Sequence, residues 1–257
     1  MTNKKQIEKG SNIVVWFSCG SASAVACKKI IENHSDCNIR IVNNPIKEEH
    51  EDNRRFLKDV EKWLNKKIEI CVNPEVDTIS CKDIWQQRKY MSGVNGAPCT
   101  MILKKGARLY FEENNVIDWH VLGFTFDEEK RAKRFIKYER SNMYPILVDL
   151  KITKDNCFKI IQEAGIDLPY VYKLGFPNAN CIGCVKSTSP TYWNRVRKCF
   201  PDIFQDRAEQ SRRIGAKLVR VKGKRKFLDE LKENELGRPL KKTGVECGIF
   251  CEENHEQ

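Results

Sequence analysis

The 257 residues contain no apolar run approaching the ~18 needed to cross a bilayer, which excludes a helical membrane span. Histidine is scarce, with four residues, His34, His50, His120 and His255, and none stand at the spacing of a helical zinc site. No Gly-Lys-Ser/Thr closes a Walker A loop, and no G-x-G-x-x-G opens a helix, so two common phosphate-binding motifs are missing. Internal repeats and low-complexity linkers are absent as well. The opening residues MTNKKQIEKGSN are polar and hold no apolar signal core, which predicts a protein that is not secreted and works in a reducing cytoplasm.

Against that background twelve cysteines stand out. A disulfide scaffold is short and secreted, so cysteines at close spacing here point to metal or redox chemistry. Cys27, Cys37, Cys71 and Cys157 lie in apolar-periodic segments and read as small core hydrophobes. Cys181 and Cys184 form a C-x-x-C in NANCIGCVKS, a spacing at which two thiolates chelate one metal or cluster. Cys99 follows Pro98 and precedes a basic helix, and Cys247 and Cys251 stand four apart near the C-terminus. Structural zinc, an iron–sulfur cluster and a redox dithiol all remain open on spacing alone.

The formal net charge is +11. Basic residues thicken over 128–140 and 186–226, a field that attracts a polyanion or a highly charged small substrate. For most single lysines a solvated surface role is the simpler reading. Tyr192 and Trp193 interleave with the second stretch, and core packing of a helix that begins near Pro190 is favoured for both.

Apolar runs alternate with helical patterns, which predicts a parallel α/β sheet. The expected strands are Asn12–Phe17, Asn38–Val42, Ile68–Val72, Trp119–Phe124 and the run YPILVDL. Helices are expected over Ser21–Glu32, around Phe56, Val60 and Leu64, around Ile84–Tyr90, and from an N-cap at Thr153 to Gly165. Beyond Pro169 the strand pattern stops. Residues 1–150 are therefore expected to form the nucleotide-binding core, and 151–257 a partly helical, cysteine-containing C-terminal region.

The turn WFSCGSASAV sits between the first strand and its helix. Such a turn aims backbone N–H groups and a helix dipole at an anion. Gly20 permits close approach, and Ser18, Ser21 and Ser23 offer hydroxyls. A plain Ser/Gly turn explains the same residues.

The landmarks together decide between those readings. Ser18-Cys19-Gly20-Ser21-Ala22-Ser23, HEDNRRF, APCTMILK, GFTFDEEKRA, YPILVD, LGFPNANCIGC and Glu246-Cys247-Gly248-Ile249 run in one order over roughly residues 12–251. In that order they resemble the phosphoadenosine phosphosulfate reductase family, within the PP-loop, adenine nucleotide alpha-hydrolase-like superfamily. The resemblance implies a doubly wound parallel sheet with an adenine nucleotide at the C-terminal ends of its strands. It also implies Cys247 as a thiolate nucleophile that takes a sulfonyl group and releases sulfite with help from a thioredoxin-like reductant. Cys251 is a candidate resolving thiol by its spacing. Lys104, Lys105, Arg131 and Arg134 are expected to pair with phosphate and sulfonyl oxygens of an adenylated small-molecule substrate.

A [4Fe-4S] cluster on Cys99, Cys181, Cys184 and Cys247 is the expected cofactor, with zinc the alternative. Departures from the family are visible. Cys19 and Ala22 replace Gly and Asp of the ATP-using loop, NNPIKEE stands in place of Asp-Thr-Gly, Phe250 replaces a His, and Cys99 lacks a tandem partner. Two further functions remain in play. One is an ATP- and cluster-dependent sulfurtransferase thiolating a nucleic-acid base, with the nucleic acid held by the basic C-terminal region. The other is a zinc-stabilised nucleic-acid-binding protein. Asp127 and Glu128 fit either substrate orientation or an ordinary helix start.

Overall fold

A computed structural model describes residues 7–93 and 96–240. In chain order the chain forms β1 (Asn12–Trp16), α1 (Ser21–Asn33), β2 (Asn38–Asn43), α2 (Asp52–Leu64), β3 (Ile68–Ile70) and α3 (Cys81–Arg88). A π-helical turn, Thr100–Lys105, leads into α4 (Gly106–Glu113), then β4 (Trp119–Val121), α5 (Glu129–Tyr138), β5 (Met143–Tyr144) and α6 (Ile146–Asp149). The remainder is α7 (Lys154–Glu163), α8 (Tyr170–Lys173), α9 (Pro190–Cys199), α10 (Pro201–Ile214), β6 (Val219–Val221) and β7 (Lys224–Lys226). No helix among the described residues is long and apolar enough to cross a membrane.

The described residues gather into two compact units. A sheet unit takes residues up to 44, 51–71 and 110–169, and a second unit takes 45–50, 72–109 and 170 onward. The expected division at residue 150 follows chain order, whereas each unit is assembled from three separated segments.

The sheet unit is the expected α/β architecture: one sheet of order β3-β2-β1-β4-β5 with every pairing parallel. From β1 the chain winds outward through β2 to β3, then returns to pair β4 on the other side of β1. The β1/β4 boundary is thus the topological switch point of a doubly wound sheet. β1 is apolar along its length because both faces of a central parallel strand are covered, and Ile13, Val14, Val15 and Trp16 are all buried. α2 buries Phe56, Val60 and Leu64 on one face, the expected helical stripe.

The boundaries differ where a single residue interrupts a pattern. The run YPILVDL is not a strand: β5 stops at Tyr144, and Ile146, Leu147 and Val148 are buried in α6. Pro145 has no N–H for the ladder, and its carbonyl instead accepts from Val148 and Asp149 at 2.9 and 3.1 Å. The strand pattern also resumes beyond Pro169. β6 and β7 pair antiparallel around Lys222-Gly223, both at positive φ (47° and 81°), the conformation of a two-residue hairpin turn. Their Lys and Arg residues mask the alternation of Val219 and Val221.

Candidate functional site

In the sheet unit the turn Ser18–Gly20 links the C-terminal end of β1 to α1, at the switch point. Cys19 adopts φ +56°, a left-handed conformation that glycine would take without strain. The strain is of order 1 kcal/mol, and it sits where functional loops concentrate such strain. Asn43 of β2 braces the turn, donating to the Phe17 carbonyl at 2.8 Å and to Cys19 Sγ at 3.6 Å.

Ser23 is the internal tie of the loop. Its hydroxyl donates to the Gly20 carbonyl at 2.9 Å and accepts from the Ser18 N–H and hydroxyl, both at 3.1 Å. The Ser18 amide and Ser23 hydroxyl are therefore engaged in shaping the turn. The N–H groups of the first turn of α1, Ala22 and Ser23 among them, have no acceptor within the helix and point toward the C-terminal end of β1. Gly20 is the N-cap and supplies no side chain. Gly123, just past β4, packs directly on this first turn: a Cβ there would lie 2.7 Å from the Ser23 nitrogen and 2.9 Å from the Ala22 carbonyl carbon. Thr125, two residues on, is 1% exposed, and its hydroxyl has no hydrogen-bond partner among the described residues.

The expected basic ligands divide between the units. Arg131 and Arg134 lie on α5 in the sheet unit, where Arg131 pairs with Glu128 at 2.7 Å and stacks over Phe124. Lys104 and Lys105 belong to the second unit, and Lys104 is buried 4.0 Å from Glu49. Asp127 accepts from the Lys154 N–H at 2.8 Å at the start of α7, a structural role. His120 is buried and accepts from Trp16 Nε1 at 3.2 Å. A cavity of about 190 Å³ opens at the opposite end of β1, lined by Asn12, Arg40, Phe111 and Asn115 among others, and no expected site residue lines it.

The second unit gathers thiols. Cys81, at the start of α3, is hydrogen-bonded to both Cys181 and Cys99. All three are buried in one core, and Cys184 packs against it half-buried. The hydrogen bonds to Cys181 and Cys99, followed by burial, push the Cys81 thiol far above its ordinary range. Among the described residues no three His, Cys, Asp or Glu side chains close round a point that a single ion would fill.

Two residues hold them. Glu48 caps α3, its carboxylate accepting from the Ser80 hydroxyl at 2.7 Å, the Cys81 N–H at 2.8 Å and the Lys82 N–H at 3.1 Å. Its own carbonyl accepts from Ile182 inside the C-x-x-C at 2.8 Å, so one residue pins both thiol-bearing segments. Tyr192 does the second half. Its hydroxyl accepts from the Cys184 N–H at 2.8 Å and reaches the Cys181 carbonyl at 3.4 Å. Tyr192 and Trp193 are buried, as core packing requires, and burial raises the Tyr192 hydroxyl far above its usual range.

Three buried polar groups around the thiols lack hydrogen-bond partners among the described residues: Trp85 Nε1, Thr100 Oγ1 and Arg207 Nε. Trp85 is one turn after Cys81, and Thr100 follows Cys99. Arg207 is 2% exposed, stacks over Trp85 at 4.5 Å, and places Nε 3.4 Å from where a Gly183 Cβ would stand. A buried guanidinium thus lies against the loop between Cys181 and Cys184.

The expected thiols Cys99, Cys181 and Cys184 therefore share one unit, while Cys247 and Cys251 lie outside the described residues. Sequence reasoning missed Cys81 and Glu48. A signal was present: Ser80 with Asp83 three residues on marks a helix start, which puts Cys81 at the first helical position. Cys27, Cys71 and Cys157 are buried core residues as expected, and Cys37 is half-buried beside Glu8.

No family model and no curated protein matches the chain. Among solved structures, the U34-tRNA thiolase NcsA from Methanococcus maripaludis with its [4Fe-4S] cluster aligns with a TM-score of 0.39 at 13% identity, over 80% of this chain and 70% of that one. A likeness at that level carries no argument about function.

Proposed function

We propose that this protein is an adenine-nucleotide-dependent sulfurtransferase that thiolates a nucleic-acid base and holds an iron–sulfur cluster among Cys81, Cys99, Cys181 and Cys184. The observation that supports the reading is the meeting of three buried thiols from separate segments, with the second C-x-x-C thiol packed on the same core. Soft thiolates are the ligands such clusters take. The buried donors of Trp85, Thr100 and Arg207 suit an anionic, sulfur-rich group that accepts hydrogen bonds. Bound through three of these thiolates, with the half-buried Cys184 standing off, such a cluster would leave one iron open as a soft Lewis acid for sulfide.

The chain's own residues divide the remaining work. The first-turn N–H groups after Gly20 bind nucleotide phosphate, with Arg131 and Arg134 offsetting its charge. Arg207 offsets the negative charge of the thiolates. In the reaction a base carbonyl oxygen attacks the α-phosphorus of ATP, and pyrophosphate leaves. Hydrosulfide then adds to the same carbon, the C–O bond breaks, AMP departs with the oxygen, and the sulfur's proton passes to solvent. No electron is gained or lost by the substrate.

A second reading, reduction of a sulfonucleotide to sulfite, is favoured by Glu246-Cys247-Gly248-Ile249 alone. One experiment separates them. Protein purified without oxygen is assayed for iron and acid-labile sulfide, then given ATP, sulfide and bulk tRNA, or adenylated sulfate and a dithiol. About four irons per chain and thiolated RNA with AMP release are expected. Sulfite release that disappears in Cys247→Ser, with no AMP formed from ATP, would replace this reading with the reductase.

A further inference from the structure

The β6–β7 hairpin, in the second unit, carries a charge arrangement that costs the fold stability. Val219 and Val221 are buried in the core of that unit, which fixes the hairpin's inner face. The Arg220 N–H donates to the Thr188 carbonyl at 2.9 Å and ties the hairpin to the segment before α9. The other face is exposed and basic. Arg220 stands directly opposite Arg225 in the register, and Lys222 and Lys224 flank the turn glycine. Like charges directly across an antiparallel pair are destabilising.

Neighbouring cations in this unit find carboxylates. Arg212 pairs with Asp229 and Glu230, Lys226 with Glu235, and Lys82 with Asp206. Arg220, Lys222, Lys224 and Arg225 have no carboxylate partner among the described residues. Arg225 makes only long bonds to the Lys217 and Leu218 carbonyls, at 3.3 and 3.4 Å. Burial and the nearby Arg220 charge pull the Arg225 guanidinium below its ordinary range. A solvated surface charge needs no rigid mount and no opposed partner, and this group has both.

We infer that the outer face of the β6–β7 hairpin, through Arg220 and Arg225, together with Lys222 and Lys224 at its exposed tip, is a docking ribbon for the phosphate backbone of a nucleic acid. Phosphates relieve the Arg220–Arg225 repulsion, and planar guanidinium groups match their oxygens in pairs. A membrane surface fits less well, because the tip offers Lys-Gly-Lys with no apolar side chain to insert. The inference rests on the nucleic-acid part of the proposed function and needs neither the cluster nor ATP.

The test is fluorescence anisotropy with labelled single-stranded RNA, a structured RNA and duplex DNA, each across a salt series. Wild type is compared with a variant in which Arg220, Lys222, Lys224 and Arg225 are all Gln. A control replaces the exposed Lys58, Lys62, Lys66 and Lys67 of the sheet unit with Gln, so net charge falls equally. The hairpin variant is expected to bind at least ~30-fold more weakly at low salt. Its salt slope should drop by about 0.7 per lost contact on single strands or 0.9 on duplex. The control should keep most of the affinity.

Arg225→Gln alone should weaken binding while leaving thermal stability without ligand equal or higher, since it removes a repulsion. Which arm responds identifies RNA or DNA as the source of the backbone. Equal binding by hairpin variant and wild type, no binding by wild type, or retention only on anionic vesicles would each overturn the inference. Hairpin-dependent binding in a protein that never thiolates RNA would sink the proposed function and leave the docking surface standing.

Discussion

In the sheet unit, the residues of the candidate nucleotide turn are consecutive, Ser18 to Ser23, and their positions follow from β1 ending and α1 beginning. In the second unit, the thiols come from three stretches around residues 81, 99 and 181–184, and a single glutamate joins two of them. The first arrangement is local and repeats in any strand–turn–helix. The second exists only after long-range packing has closed. Buried cysteines differ accordingly. Cys27 on α1 is surrounded by apolar side chains that push its thiol far above the usual range, whereas Cys81 meets other thiols.

That contrast is broken first by Cys81→Ser against Cys27→Ser. Cys81→Ser should take bound iron from about four per chain to less than one. Cys27→Ser should cost about 1–3 kcal/mol of stability through a buried hydroxyl and leave iron in the folded fraction unchanged. Equal iron in both variants would remove Cys81 from the ligand set.

Phe56→Ala empties a fully buried position on α2. It is expected to cost about 3–5 kcal/mol in denaturant titration, again with unchanged iron per folded chain. Gly123→Ala acts on the turn alone. Its Cβ would collide with backbone at 2.7 Å, so nucleotide affinity measured by calorimetry should fall about tenfold, or ~1.4 kcal/mol. Affinity within twofold of wild type would show that the first turn of α1 does not bind the nucleotide.

Glu48→Gln keeps the shape of the α3 cap and removes its charge. A loss of about 1 kcal/mol and faster iron release to a chelator are expected, with nucleotide affinity unaltered. The smallest effect concerns the exposed Arg40–Glu69 pair at 2.5 Å. The Arg40 hydrogen bond holds the Glu69 carboxyl below its ordinary range. Its contribution is therefore present above the unfolded carboxylate pKa of about 4.3 and lost as pH falls through the lower folded value. Both side chains are near 40% exposed (43% and 39%), so Arg40→Ala should cost under about 1 kcal/mol at pH 7 and less once Glu69 is protonated, when only the Arg40 contacts with Asn115 and Phe111 are lost.

Much of the sheet unit was legible in sequence because its signals are short-range. The apolar run of β1, the Phe56-Val60-Leu64 stripe and the Thr153 cap each lie within one element, and each formed. Pro145 defeated the fifth strand because the apolar run after it fits a buried strand and a buried turn of helix equally. The hairpin was hidden because four of the six residues in its strands are Lys or Arg. Cys81 stood apart from every cysteine motif, so spacing gave no reason to select it.

What the sequence determined by itself is the alternation of strand and helix, the turn at Ser18–Ser23, and the C-x-x-C, because periodicity, turn chemistry and chelate spacing act over a few residues. Tertiary structure alone decided the switch point between β1 and β4, the packing of Gly123 on Ser23, and the meeting of Cys81 with Cys99 and Cys181. Those contacts join residues about twenty to a hundred positions apart, and burial of a shared core, which no local pattern records, is what brings them together.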